Sequence, residues 1–140
     1  MKSSRRRSRE FALQGLYQWL VAGGEVSAIV AHLSEVKGFD KIDNEHFLSM
    51  LNGVIRNEAD LDKQLQPHLD RPLGELSPIE RAIMLLAAFE LTSHPEIPYK
   101  VVINEAVELA KSYGGTDGHK YVNGVIDKLA IEIRAVEVVK

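Results

Sequence analysis

Five histidines are the first candidates for chemistry, and their spacing gives them little to do. His32, His46, His68, His94 and His119 form no ligand-spaced pair, no HExxH run is present, and a chain without cysteine has neither thiolate zinc ligands nor a Cys nucleophile. GxSxG elbows, Walker A loops and GxGxxG turns are absent too. The segment 114–120 comes nearest, but it lacks the Walker spacing and the Ser or Thr that should follow Lys120. The chemistry that remains is recognition. Of the 17 Lys and Arg residues, Lys2, Arg5, Arg6, Arg7 and Arg9 precede the first acid, Glu10; the other 12 stand against 20 acidic residues, a net of −8 under a whole-chain charge of −3. A cationic arm on an acidic body suits an anionic partner, nucleic acid above all, although a solvated tail has the same composition.

Arginine guanidiniums are permanently charged and donate in a bidentate fork that matches phosphate. The helical stripe that continues the arm brings Gln14 and Tyr17 to the same side, where a base could be hydrogen-bonded or stacked. A second cationic site follows the loop 114–118, whose free N–H groups could receive an anion while Lys120, Tyr121 and Asn123 project from the next turn. Tyr121 falls at the rim of the buried stripe of its helix. The structural alternative is that both tyrosines only cover the core edge and that Asn123 is a cap or faces solvent. Exposed aromatics suit unpaired bases, each worth ~1 to 3 kcal/mol when stacked, and no helix is loaded with side chains for reading duplex DNA. Single-stranded RNA is the expected ligand.

The elements that must position these groups read as helices. Ala12, Leu13, Leu16, Trp19 and Leu20 fall within an arc of roughly 120° at ~100° per residue, with Arg6, Glu10, Gln14 and Tyr17 opposite. Gly23 and Gly24 end this helix. Helices are expected over 26–36, 43–56 and 59–66, and Pro67 and Pro72 bracket a break. Ser77-Pro78-Ile79-Glu80 is a helix start: Ser caps, Pro needs no N–H there, and Glu can reach back to the cap. That helix should run to about residue 93, before Pro95 and Pro98. Val102, Ile103, Ala106, Val107, Leu109 and Ala110 share one helical face. The last helix, about 120–136, should bury Val122, Val125, Ile126, Leu129, Ile133 and Val136. The expectation is an all-α, compact bundle of six or seven helices, either one folding unit or two half-domains.

The helix after Ser77 is apolar on more than one side. Ile79, Ala82, Ile83, Leu86 and Phe89 form the inward arc, yet Met84, Leu85, Ala88 and Leu91 are apolar as well, bordered by Glu80 and Arg81. Such a helix is either central or docked against a partner, such as a second copy of the chain. Glu90, near the inward arc, should pair with a cation or a helix N-terminus. The longest apolar run, 82–89, is far short of the ~18 to 20 residues of a membrane span. Gln14 and Gln18 interrupt what could pass for a secretory signal, so the expected location is the cytoplasm.

Four stretches taken together resemble the NusB family: RRRSREFALQGLY over 5–17, LSPIERAI over 76–83, IPYKVVINEAVELAK over 97–111 and HKYVNGVIDKLA over 119–130. They cover the first helix and nearly all of the second half, in the family's order and spacing. The resemblance implies two helical half-bundles, approximately 1–70 and 71–140, and a role in transcription antitermination and ribosomal RNA synthesis. It implies binding of boxA RNA together with the ribosomal protein NusE, within an RNA polymerase elongation complex, and no cofactor. By position, the RNA surface would use Arg5, Arg6, Arg7, Arg9, Gln14, Tyr17, Lys120, Tyr121 and Asn123. The NusE surface would use Glu80, Arg81, Met84 and Leu85, with Asp117 nearby. Leu85 stands where many relatives carry Arg, Tyr121 where Phe is common, and Gly118 where some carry a bulkier residue, which is expected to loosen the loop. A similar module begins certain ribosomal RNA methyltransferases; 140 residues leave no room for a catalytic domain, so no reaction is expected. The alternative from another class is a helical protein-interaction scaffold without RNA.

Overall fold

In the computed structural model, which describes residues 2–139, the Ser3 hydroxyl accepts from the Arg6 N–H at 3.1 Å and starts helix α1, Ser4–Ala22. Gly23 stops it with a φ of 71°, a backbone that other residues rarely adopt. Helix α2, Val26–Leu33, is shorter than expected: it unwinds at Ser34, and a left-handed Gly38 leads into a 3-10 turn, Phe39–Lys41. Asp43 then caps α3, Asn44–Leu65, accepting from the His46 N–H at 3.1 Å.

The two helices expected over 43–66 are one. At Asn57 the backbone leaves helical geometry (φ −115°, ψ 17°), and its side-chain amide donates to the Gly53 carbonyl at 2.7 Å, so the axis kinks without breaking. Pro67 and Pro72 sit in or beside two 3-10 turns, Gln66–His68 and Leu73–Glu75. Helix α4, Pro78–Ser93, opens with Ser77 Oγ accepting from the Glu80 N–H and Pro78 in the first turn, while the Glu80 carboxylate lies over Gly118 instead of reaching back to the cap. Helix α5 spans Tyr99–Tyr113 and α6 Gly118–Ile133. The chain turns at Arg134 into a single last turn, α7, Ala135–Val138, and Val136 is 74% exposed where burial was expected.

Helix α4 is the axle. It packs against α1 and α3 on one side and α5 and α6 on the other, and every residue from 82 to 91 is buried. Its greasy periphery is therefore covered by this chain's own helices, which removes the outer apolar face suggested for self-association or a partner. The close approach of α3 to α4 depends on Gly53: a Cβ there would stand 2.2 Å from Phe89 Cζ. At the far end Arg134 donates to the Leu91 carbonyl at 2.8 Å and to the His94 carbonyl at 3.0 Å, satisfying the end of α4. Glu137, paired with Arg134, accepts from the Tyr99 N–H at 2.9 Å and so caps α5 from outside.

Candidate nucleic-acid interface

The basic N-terminus is no loose arm. It is the first two turns of α1, and one residue per ~100° sends its arginines in different directions. Arg5 donates to Asp43 Oδ2 at 3.1 Å, Arg6 to Glu105 Oε1 at 3.1 Å on α5, and the Arg7 guanidinium reaches the turn at Gly38. Arg9 points into the core, its side chain 5% exposed. Its Nε donates to Glu90 Oε1 at 2.9 Å and its second amine to Glu90 Oε2 at 2.9 Å, while the third nitrogen reaches Glu105 at 3.3 Å. The expectation that Arg9 contacts RNA is therefore corrected: a guanidinium enclosed by two carboxylates has no face left for a phosphate.

His46 completes the buried group, its Nε2 3.1 Å from Glu90 Oε2. Burial pushes the Glu90 carboxyl upward, but hydrogen bonds from His46 and Arg9 and the charge of both outweigh it and hold the group below the usual carboxylate range. Glu105 joins this interior to the surface, since it also takes Arg6. The Asp43 carboxyl is likewise held low, first by the His46 N–H and then by Arg5.

Between α1 and α5 runs an open groove. Lys2, Arg5 and Arg6 form one wall at its mouth, facing Pro98 and Val101. Farther along, Arg6 and Glu10 face Glu108 and Ser112. Gln14 lies beside Tyr113, the last residue of α5, which is 38% exposed. Partial burial and then the Glu10 charge hold the Tyr113 phenol above its usual range, against the opposing influence of Lys2 and then of Gln14. Tyr17, 41% exposed, is one turn beyond Gln14. Tyr113 escaped the sequence reading because, at the end of α5, it belongs to no cationic or apolar stripe.

The loop after Tyr113 offers fewer free donors than expected, because the Gly118 N–H donates to the Gly115 carbonyl and the Lys120 N–H to that of Asp117, each at 3.1 Å. Lys120 and Asp117 are exposed, with Nζ and Oδ1 3.5 Å apart. Tyr121 is half-buried on the flank facing the connection between α3 and α4. There its hydroxyl accepts from the Asp70 N–H at 3.4 Å, and the Arg71 guanidinium lies over its ring, 4.5 Å from the centroid. Arg71 was not foreseen, since no helical period reaches the proline-bracketed break that carries it. Asn123, two residues on, faces the other flank, in a groove with Asn104 and Val107. Tyr121 and Asn123 thus do not share a surface.

The residues expected on a protein-binding face divide as well. Met84 and Leu85 are wholly buried, so neither touches a partner; Leu85 is core filling. Arg81 is engaged within the chain by Glu58 and Asp62 of α3, at 2.7 Å each. Glu80 is half-buried and folds over Gly118, where a Cβ would stand 2.8 Å from its Oε2. Gly118 is buried and gives Glu80 that room; nothing here shows a loosened loop. Glu80 and Asp117 consequently lie close together at the start of α6.

No helix among the described residues is long and apolar enough to cross a membrane, and no cluster of metal-ligating side chains occurs among them. Comparison with known proteins agrees with this geometry. The chain is 61% identical over 130 residues to the transcription antitermination protein NusB of Nitrosospira multiformis, covering 93% of this chain and 82% of the relative. It is 59% identical over 137 residues to that of Ralstonia nicotianae, covering 98% and 88%. The crystallised NusB of T. maritima superposes with a TM-score of 0.81 at 29% identity, covering 94% of each chain. A structure of the antitermination factors NusB and NusE with double-stranded RNA has a chain of the same fold, with a TM-score of 0.82 at 24% identity, covering 94% of this chain and 99% of that one. With the NusB family model matching residues 6–130 as well, the chain belongs to the NusB family.

Proposed function

We propose that this protein is a transcription antitermination factor that binds boxA-type single-stranded RNA together with NusE and supports ribosomal RNA transcription without catalysing a reaction. The observation that carries the reading is the groove between α1 and α5, which begins with Lys2, Arg5 and Arg6 and ends at Glu108 and Ser112, with Gln14 and the exposed ring of Tyr113 next along the two helices. Cations at one end attract the backbone, and an amide with a ring at the other hold bases, the combination that single strands require. Tyr17, Lys120 and Tyr121 extend the surface. Arg7 and Asn123, which face elsewhere, contribute less.

NusE is taken at the start of α6, where Glu80 and Asp117 present negative charge beside the RNA face, and contact with RNA polymerase is indirect. The chain acts as one domain whose two helical halves, about 1–70 and 71–140, meet along α4, and it works in the cytoplasm, where transcription occurs. RNA and NusE accompany a structural neighbour of the same fold. A filter-binding titration of boxA RNA against a shuffled sequence, with and without NusE, tests this reading. Preference for boxA, increased by NusE, is expected; equal binding of the two RNAs in both conditions would assign the molecule to the protein scaffolds instead.

A further inference from the structure

We propose that Arg71 is a nucleobase-stacking residue, forming with Tyr121 a layered stand for one unpaired base. The inference rests on the RNA-binding reading above and adds a contact to it. Arg71 leaves the chain in the break between α3 and α4, and its guanidinium lies 4.5 Å from the centroid of the Tyr121 ring, within cation–π range. Two bonds to the neighbouring carboxylate hold the plane: Nε donates to Asp70 Oδ1 at 2.7 Å and a terminal amine to Oδ2 at 3.1 Å. The Asp70 N–H in turn donates to the Tyr121 hydroxyl, which ties the backbone under the guanidinium to the ring itself. The guanidinium carbon sits over the phenol, and with 45% of its side chain exposed Arg71 has surface left for a base.

The charge arithmetic identifies what this arrangement offers. Arg71 and Asp70 neutralise each other, so the pair adds little long-range attraction and releases few counterions when RNA arrives. An exposed pair between adjacent residues adds little to stability either. The remaining property is a flat, weakly hydrated face, already ordered, of the kind that stacks on aromatic rings and bases. The ring beneath it polarises and supports that face. An unpaired base would therefore settle on the guanidinium, with the phenol as the lower layer. Lys120, one residue from Tyr121, stands ready for the adjoining phosphate.

Titrating boxA RNA at several KCl concentrations tests the assignment with three proteins. Arg71→Ala is expected to weaken binding about tenfold, the loss of one stacking layer, while the slope of affinity against salt stays that of the parent. Arg71→Lys keeps the charge but not the plane, and should remain as weak as the alanine variant. Binding by Arg71→Lys equal to the parent would make Arg71 a point charge and overturn the proposal. Equal or tighter binding by Arg71→Ala would do the same, the latter making Arg71 a cover over Tyr121. A parent that fails to prefer boxA over shuffled RNA overturns the underlying reading and this one with it; a parent that prefers boxA while Arg71→Lys matches it overturns the stacking role alone.

Discussion

Arg9 and Glu90 are charges of opposite sign in a low-dielectric interior, and each is tolerable only because the other is there. Arg9→Ala would leave Glu90 with His46 alone and a void where the guanidinium lay. It should lower stability by about 3–5 kcal/mol, whereas Arg5→Ala, which opens only an exposed pair, should cost about 1 kcal/mol or less. Urea unfolding midpoints of the two variants check the difference. The same site makes stability depend on pH with a definite sign. The folded Glu90 carboxyl is held below its ordinary value of 4.5, so its contribution is complete above that value and is lost as pH falls through the depressed one. Glu90→Gln removes that titration. The variant should be less stable at neutral pH, and its deficit against the parent should narrow on acidification; a constant deficit would show that Glu90 does not shape the acid limb. A signal for the pairing was present in the sequence, since Arg9 stands three, four and seven residues before Ala12, Leu13 and Leu16 and so extends their buried stripe. Counting it with the arginine run hid its phase.

At the scale of elements, helix starts and stops were the most legible features, because Ser77 with Pro78, and Gly23, act through local backbone chemistry that the residue type itself supplies. Joins decided by packing were not. Asn57 and its neighbours look like a break, yet α3 continues because Leu61 and Leu65 on the far side of the kink are also buried in the shared core. Gly53 is the counterpart within the same helix: the sequence shows a helix-weakening residue, and only the fold shows the Phe89 ring lying on it. Gly53→Ala gains about 1 kcal/mol of helix propensity but forces Phe89 out of its place, at a typical cost of about 1–3 kcal/mol. Because the ring is enclosed and the overlap severe, the loss should win and the thermal midpoint should fall. Gly118→Ala is the instructive contrast, since the atom in its way is the end of a flexible Glu80 side chain. Its midpoint should move little, and a large fall would mean that Glu80 is locked over Gly118.

Over the whole molecule, one helix serves two purposes: α1 supplies Leu13 and Leu16 to the core and Arg5, Arg6 and Gln14 to the surface. The RNA face is thus only as mobile as the core allows, which favours a fixed register over a flexible tether. The candidate site was legible in composition, since the basic start and the tyrosines stand out, but their grouping was not. Whether Arg7 belongs with Arg6 depends on where α5 and the Gly38 turn lie, which no local pattern states. That difference separates a groove from an arm. In an arm, Arg6 and Arg7 would be equivalent to an incoming strand; here Arg6 lines the groove and Arg7 reaches the turn at Gly38. Each phosphate neutralised on a single strand adds about 0.7 to the logarithmic salt slope. Replacing Arg5 and Arg6 together by Ala should therefore lower the slope of boxA binding by less than the ~1.4 of two unpaired cations, because Asp43 and Glu105 already neutralise part of their charge, whereas Arg7→Ala should leave it as in the parent. Equal losses for Arg6→Ala and Arg7→Ala would restore the arm, and would mean that RNA follows the outside of α1 instead of the channel it forms with α5.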